Sequence, residues 1–376
     1  MKKLLFPVIL LVLTVSLFPG IKNPDKPLKG VWDFKPHKAW EIENAGDKII
    51  GKIGQIEVNQ DERVYIFDRR GINYIFAKNG AFIKEFAKKG EGPGEIKKQR
   101  KLFCIKDMII IVDNNKIHYF TREGIFVKSV RNDYYQRSPV VFLNKDEFIS
   151  AVPTIYYKPD GKGIVTKYNV ISGKETIITE YPLFKGGVTL IGKDTYFLWI
   201  APELAPTMVL ASDNDNRKLY YGMSDAYKIN ITDLNGKILD TFSVARQKKK
   251  ISPRLKRQRF QPSTIPEFAL KNLVNGYPDE LTYFTRVEIN NGMIYIYLSG
   301  VGSSYQNQQD IDIFSLDGKY QYRSCIKFDQ DSAIIEAFFD RGILTRKDSL
   351  YVGLEDEEGN VKIAKYKIIL PALPEK

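Results

Sequence analysis

Histidine is almost missing from this chain: its 376 residues hold two, His37 and His118. So few imidazoles argue against a histidine-ligated metal centre and against a Ser-His-Asp triad, both of which depend on imidazole nitrogens. Cysteine is equally scarce, with Cys104 and Cys325 alone, far too few for a disulfide-stapled scaffold. A pair could still bridge in an exported protein. However, the strand assignment below puts Cys104 on an inner strand and Cys325 on an outer strand of an opposite blade. That separation exceeds the ~7 Å Cα limit for a disulfide, so two buried free thiols are expected. Long apolar runs are missing too. The run from Leu4 to Phe18 has 15 residues, short of the roughly 20 that span a bilayer.

That run follows Lys2 and Lys3 and reads as the apolar part of an export signal over residues 1–20. The nearest small-x-small pattern is Thr14-Val15-Ser16, a poor cleavage site, which leaves a cleaved leader and a retained anchor both open. No Cys follows the run, so a lipid-anchored form is not expected. The expected destination is the periplasm, the cell envelope or the extracellular space. A membrane is met only through an uncleaved N-terminal segment. Residues 21–37 are rich in Lys, Pro and Gly and read as a tether, and 371–376 read as a tail.

What the chain has in abundance is tyrosine and phenylalanine, 22 of each. This bias favours sheet packing over helix packing. The apolar residues alternate in short runs, and six times such a run ends at a small or acidic residue, reaches a Gly and starts again. The glycines are Gly80, Gly124, Gly173, Gly236, Gly318 and Gly359, spaced 44, 49, 63, 82 and 41 residues apart. Gly supplies the positive φ of a tight hairpin. A period of about 40–50 residues with all-β content marks a propeller, one such turn per blade. The expected fold is therefore an all-β, six-bladed β-propeller over residues 38–370, with four-stranded antiparallel blades whose strands A to D run from the inside out.

Blade 6 has only three strands in this reading, and the alternating segment 38–43 is surplus at the other end of the chain. The two are expected to pair, so that the N-terminal strand closes the last blade. In blade 4 the inner strands are expected at 188–191 and 195–200. The A–B connections are short, and the C–D turns are the Gly turns just given. The long ones are the B–C loops 153–163, 201–226 and 299–309 and the D–A loops 88–100, 131–139 and 245–282. All of these emerge on one face of the disc, which makes that face the expected binding surface.

Two features of that face point to a ligand. The tyrosines Tyr134, Tyr135, Tyr156, Tyr157, Tyr220, Tyr221, Tyr277 and Tyr305 fall in the long-loop set, where exposed rings could stack on sugars or peptide. In the 245–282 insertion, Arg246, Lys248, Lys249, Lys250, Arg254, Lys256, Arg257 and Arg259 follow one another with no acidic residue between them. With a formal net charge of +12, this run suits an anionic partner. No nucleic-acid recognition motif accompanies it, so nucleic acid is not expected. The acidic run Asp213-Asn214-Asp215-Asn216 is the one stretch that suggests Ca²⁺, but it lacks the Gly and the distal Glu of a complete loop. No other cofactor is expected. Asp68 and Asp113 end the B strands of blades 1 and 2 and read as caps rather than metal ligands.

The segment Gly90-Glu91-Gly92-Pro93-Gly94-Glu95 resembles the G-x-G-P-G-E element of secreted bacterial six-bladed propellers related to NHL-repeat proteins. This resemblance implies the fold and says little about activity. The element lacks the G-K-[ST] ending of a phosphate loop. Its glycines permit a tight D–A crossing that Pro93 stiffens. Together these features lead to the expectation of a monomeric, exported, non-catalytic binding or scaffold module for an anionic glycan or a protein partner. The alternative is a metal-dependent hydrolase or lyase with a carboxylate site at the channel mouth.

Overall fold

The computed structural model describes residues 20–99, 101–113, 115–131, 140–152, 162–184, 188–191, 194–197, 204–253, 271, 274–300, 308–328, 332–334, 342–356 and 358–371. The chain opens with β1 (Ile21–Pro24) and β2 (His37–Ile42), then the short ribbon β3 (Asn44–Ala45) and β4 (Lys48–Ile49). Blade 1 is β5 (Ile53–Val58), β6 (Val64–Asp68), β7 (Ile72–Phe76) and β8 (Phe82–Phe86). Blade 2 is β9 (Lys101–Ile105), β10 (Met108–Val112), β11 (Lys116–Thr121) and β12 (Phe126–Arg131). Blade 3 is β13 (Val140–Phe142), β14 (Glu147–Val152), β15 (Lys162–Asn169) and β16 (Glu175–Pro182). A separate hairpin follows, β17 (Val188–Ile191) with β18 (Asp194–Phe197). Blade 4 is β19 (Met208–Asp213), β20 (Lys218–Met223), β21 (Lys228–Asp233) and β22 (Ile238–Ala245). Blade 5 is β23 (Phe284–Asn290), β24 (Met293–Leu298), β25 (Gln308–Ser315) and β26 (Tyr320–Lys327). Blade 6 has β27 (Ser332–Ile334) and β28 (Ile343–Arg346) sharing the inner position, then β29 (Ser349–Asp356) and β30 (Val361–Lys367).

Burial explains why these segments pair as they do. Second strands such as β6 and β24 are buried at every residue because sheets press on both faces. Outer strands such as β12 are mostly exposed. First strands of neighbouring blades touch one another, β5 with β9, β13 with β19, β19 with β23 and β28 with β5, so they ring the centre. Separate apolar clusters fill the seams between blades 1 and 2, 2 and 3, 3 and 4, 4 and 5, 5 and 6, and 6 and 1.

The expected closure is present. β2 lies antiparallel to β30, with His37 opposite Lys367 and Ile42 opposite Ile363. Trp40 packs edge-on against Tyr351, and its indole N–H donates to the Lys78 carbonyl of blade 1 at 2.9 Å. Blade 6 thus joins β2 to β30, strands far apart in the sequence.

Three expectations need correction. The inner strands of blade 4 are β19 and β20, so much of the supposed loop 201–226 is sheet. Strands buried on both faces read as continuous apolar runs, and periodicity alone does not separate Met208–Asp213 from the more regular 188–200 stretch. Second, all six turn glycines do have positive φ, but Gly359 joins β29 to β30, the second and third strands of blade 6, because that blade takes its outermost strand from the other end of the chain. Third, residues 21–37 are not a free tether. β1 adds in parallel to the outer edge of β22. Leu28, Lys29 and Trp32 then donate backbone N–H groups to Tyr320, Gln321 and Arg323 of β26. Phe34 is buried in the seam between blades 5 and 6, and its carbonyl accepts from the Ile369 N–H. The segment is a belt over the rims of blades 4, 5 and 6, and it covers backbone edges that would otherwise stay open.

A register shift sits in the outer strand pair next to the turn in blades 1, 2, 4 and 5 and in mid-strand in blade 3, and bulges of this kind increase local twist. Gly318 shows how tightly such a turn is held. Its φ is +91°, and a Cβ there would lie 2.6 Å from Phe242 Cδ1. Gly318→Ala combines a left-handed backbone with a clash into the seam between blades 4 and 5. We expect it to cost about 1–3 kcal/mol, read as a lowered midpoint in chemical denaturation; an unchanged midpoint would contradict this packing.

The two cysteines are free, one in blade 2 and one in blade 5, as expected. Their burial differs from expectation. Cys325 is exposed on its outer strand, and Cys104 is partly buried, packed against the blade 1–2 seam.

Candidate ligand-binding face

With blade 4 reassigned, the stretch between β16 and β19 becomes a D–A connection, and 132–139, 153–161 and 301–307 lie outside the described residues. The crossing from blade 1 to blade 2 carries the Gly-Pro element. Its ends are joined, with Ile96 N–H donating to the Lys88 carbonyl at 2.9 Å and Gly90 N–H to the Ile96 carbonyl at 3.2 Å. The Glu95 carboxylate accepts the Gly92 N–H at 2.8 Å. A Cβ on Gly90 would lie 2.0 Å from that same carboxylate, and one on Gly94, at φ +78°, would lie 2.9 Å from Phe126 Cβ. Ile96 is buried among Phe86, Leu102 and Phe120. Glu91 is exposed and pairs with Lys97 at 2.7 Å. The element is therefore a self-bonded loop wedged onto the blade 1–2 seam.

Asp68 and Asp113 do more than end their strands. Asp68 accepts the Gly51 N–H at 2.8 Å and binds the Arg70 guanidinium. Asp113 accepts the Lys97 and Lys98 N–H groups at 3.1 and 3.0 Å. Each carboxylate holds the crossing that enters its own blade. Ser224 and Ser299 act at the same place in blades 4 and 5. Ser224 Oγ accepts the Thr207 N–H, and the Ser299 and Thr282 hydroxyls bond at 2.8 Å.

The crossing from blade 4 to blade 5 holds the described part of the basic run. Arg246 is turned inward. It pairs with Asp312, which is wholly buried, at 2.8 Å and with Asp25 of the belt at 2.6 Å. Arg323 binds the same two carboxylates at 3.3 and 2.7 Å. Tyr227 and Tyr320 donate their hydroxyls to Asp312 at 2.6 and 2.5 Å. Burial, the largest single influence, would lower the Arg246 pKa, but Asp312, Tyr227, Asp25 and Tyr320 together hold the guanidinium above its ordinary value. Burial first, and Asp312 second, raise the Tyr227 hydroxyl well above the ordinary range.

The next residues point elsewhere. Lys248 lies over the Tyr283 ring, its Nζ 5.7 Å from the centroid. Lys249 and Lys250 are exposed, and Lys249 stands 3.8 Å from Asp310. Their backbone is fixed by a short antiparallel ladder. Lys250 bridges Glu280, Ile251 N–H donates to the Asp279 carbonyl, and Leu281 N–H donates to the Lys249 carbonyl. Lys248, Lys249 and Lys250 thus form an ordered strip at the start of the insertion.

The tyrosine expectation fares differently at each position. Tyr220 and Tyr221 sit on β20, at 0% and 5% exposure, and pack in the blade 4–5 and blade 3–4 seams. They are core residues, misplaced with the strand. Tyr277 is buried at 3% exposure and packs on Phe184 at 5.2 Å. Tyr134, Tyr135, Tyr156, Tyr157, Tyr305, Arg254, Lys256, Arg257 and Arg259 lie outside the described residues. In the acidic run, Asp213 accepts the Asn216 backbone and side-chain N–H groups, and Asn214 donates to the Phe142 carbonyl. The run is the A–B turn of blade 4, tied to blade 3.

On the inner strands, Gln55 bonds both the N–H and the carbonyl of Leu102, and its amide also reaches Glu57 at 3.0 Å. Glu57 faces Arg346 at 4.0 Å. Glu288 accepts from the Tyr297 hydroxyl at 2.7 Å and pairs with Arg286 at 3.2 Å. Burial, then Glu57, pushes the Cys104 thiol well above its ordinary pKa. Among the described residues, no three His, Cys, Asp or Glu side chains gather as a metal set.

Known proteins meet this chain through the same architecture. The DUF5128 family model, a 6-bladed β-propeller, matches residues 42–191. The fold is that of a six-bladed propeller. A solved structure of a Bacteroides fragilis protein, inferred to be exported, is 15% identical with a TM-score of 0.52; the likeness covers 93% of this chain and 99% of that one. A member of the DUF4221 family from Bacteroides vulgatus is 9% identical with a TM-score of 0.54, covering 90% and 99%. At such identities the likeness is one of fold. A search of curated proteins found no match.

Proposed function

We propose that this protein is an exported, non-catalytic propeller whose B–C and D–A face binds an anionic ligand, either an acidic glycan or a protein partner. The observation that carries this reading is the Lys248-Lys249-Lys250 strip. Its backbone is laddered to 279–281, two of its three ammonium groups face solvent, and the sequence beyond it adds four more cations without an acid. Cations held in a row on a rigid base lose little freedom on meeting a polyanion. Of the carboxylates nearby, Asp312 is taken up by arginines, while Asp310 stands 3.8 Å from Lys249. The leader-like N-terminus, together with the likeness to the Bacteroides fragilis protein, supports export.

The test is binding of residues 21–376 to dextran sulfate and to acidic polysaccharides across a salt series. Affinity is expected to fall as salt rises, since screening shortens the reach of exposed charges. Changing Lys248, Lys249, Lys250, Arg254, Lys256, Arg257 and Arg259 to Ser is expected to weaken binding at least tenfold. A wild-type protein that binds no polyanion would sink the anionic-ligand reading.

A further inference from the structure

We infer that the N-terminal belt positions the basic strip, with Asp25 as the positioning residue. This rests on the proposed role of the strip. The register of β1 against β22 sets Pro24 opposite Ala245, which brings Asp25 beside Arg246, the first residue of the insertion. One oxygen of Asp25 accepts from Arg246 Nε at 2.6 Å and from Arg323 Nη2 at 2.7 Å. Asp312 takes the remaining faces of the same two guanidinium groups. Two arginines thus share two carboxylates, one from blade 5 and one from the belt.

The chain of contacts continues to the strip. The Arg246 carbonyl accepts the Tyr283 hydroxyl at 2.9 Å, and the Tyr283 ring lies beneath Lys248. Tyr283 also packs on Tyr227 at 5.6 Å, under the Arg246 guanidinium. Asn23, two residues before Asp25, fixes the belt itself. It is buried, donates to the Gly318 carbonyl at 2.9 Å and accepts the Tyr320 N–H at 3.0 Å. Without Asp25, the largely covered Arg246 and the more exposed Arg323 would share Asp312 alone. Repulsion would then favour Arg246 turning out toward water, and the backbone of the strip would turn with it.

Asp25→Asn tests this on residues 21–376. Hydrogen exchange at Ile251 and Leu281, whose amides form the ladder, is expected to speed at least tenfold, while Ile294 to Ile296 in the core stay unchanged. Dextran sulfate affinity should fall about three- to tenfold with its salt dependence intact, because the strip keeps all its cations. Asp25→Glu should restore both. Unchanged exchange at Ile251 and Leu281 would overturn the inference. A wild type that ignores dextran sulfate would refute the binding reading alone, since the exchange result still decides the positioning role. Should Asp25→Asn loosen the whole domain, Arg246→Lys supplies the same local readout. It keeps the charge but loses the fork that spans Asp25 and Asp312; unchanged ladder exchange in that variant would equally overturn the inference.

Discussion

Replacing Asp312 with alanine is expected to destabilise the domain by about 3–5 kcal/mol, the largest loss from any single substitution considered. Asp312 has no exposed surface and takes two phenol hydroxyls and two guanidinium groups. Its removal leaves Arg246, a side chain only 11% exposed, facing Asp25 alone. Tyr227 and Tyr320 lose an acceptor at the same time, and unsatisfied buried donors add their own cost. Breaking such a group is far more damaging than its net contribution would indicate, because the desolvated charge remains after its partner has gone. Urea denaturation of the variant against wild type measures the loss. A change below about 1 kcal/mol, the range of surface pairs, would mean that the cluster is solvated and its pairing loose.

The second large effect is expected from deleting residues 1–42. That truncation removes the outermost strand of blade 6 and the strand that covers blade 4. It also strips Phe34 and Trp40 from the seams they fill. The exposed edges of β22 and β30 would each offer a row of unpaired backbone groups. The loss should exceed the net stability of an ordinary domain, about 5–15 kcal/mol. The product should elute as aggregate in size-exclusion chromatography and bind a hydrophobic dye. A synthetic peptide of residues 20–42 added during refolding should recover part of the monomer, by pairing as it does in the intact chain. A truncated protein that stays monomeric and cooperative would show that the ring closes without its belt.

Much of the ring was legible in the sequence because its signals are local. Turn glycines followed by alternating runs located blades 1, 2, 3 and 5 and the outer half of blade 4. The surplus alternation at 38–43 pointed to the closing strand because blade 6 was visibly one strand short. Blade 4 was misread where burial on both faces erased the alternation in Met208–Asp213 and Lys218–Met223. Tyr220 and Tyr221 went with it, passing for loop residues when they are core. The Asp25, Asp312, Arg246 and Arg323 cluster left no trace in the sequence. Asp25 and Arg323 stand 298 residues apart, and nothing near any of them has a spacing that a motif could record. Arg246 was counted with the exposed cations for the same reason, since a charge run does not show which of its members turns inward.

The belt also sets the order in which the molecule can be completed. Residues 21–24 need β22, residue 23 needs Gly318 at a separation of 295 residues, and β2 needs β30. Residues 21–24 therefore wait for blade 4, Asn23 for the turn of blade 5, and β2 for blade 6. Contacts of such long range slow folding. A nascent chain that stalls before blade 6 holds an open arc with a loose N-terminal strand, the form most exposed to strand exchange with a neighbour. Completion is stepwise, with β1 able to dock once β22 has formed and β2 closing the ring only when β30 is in place.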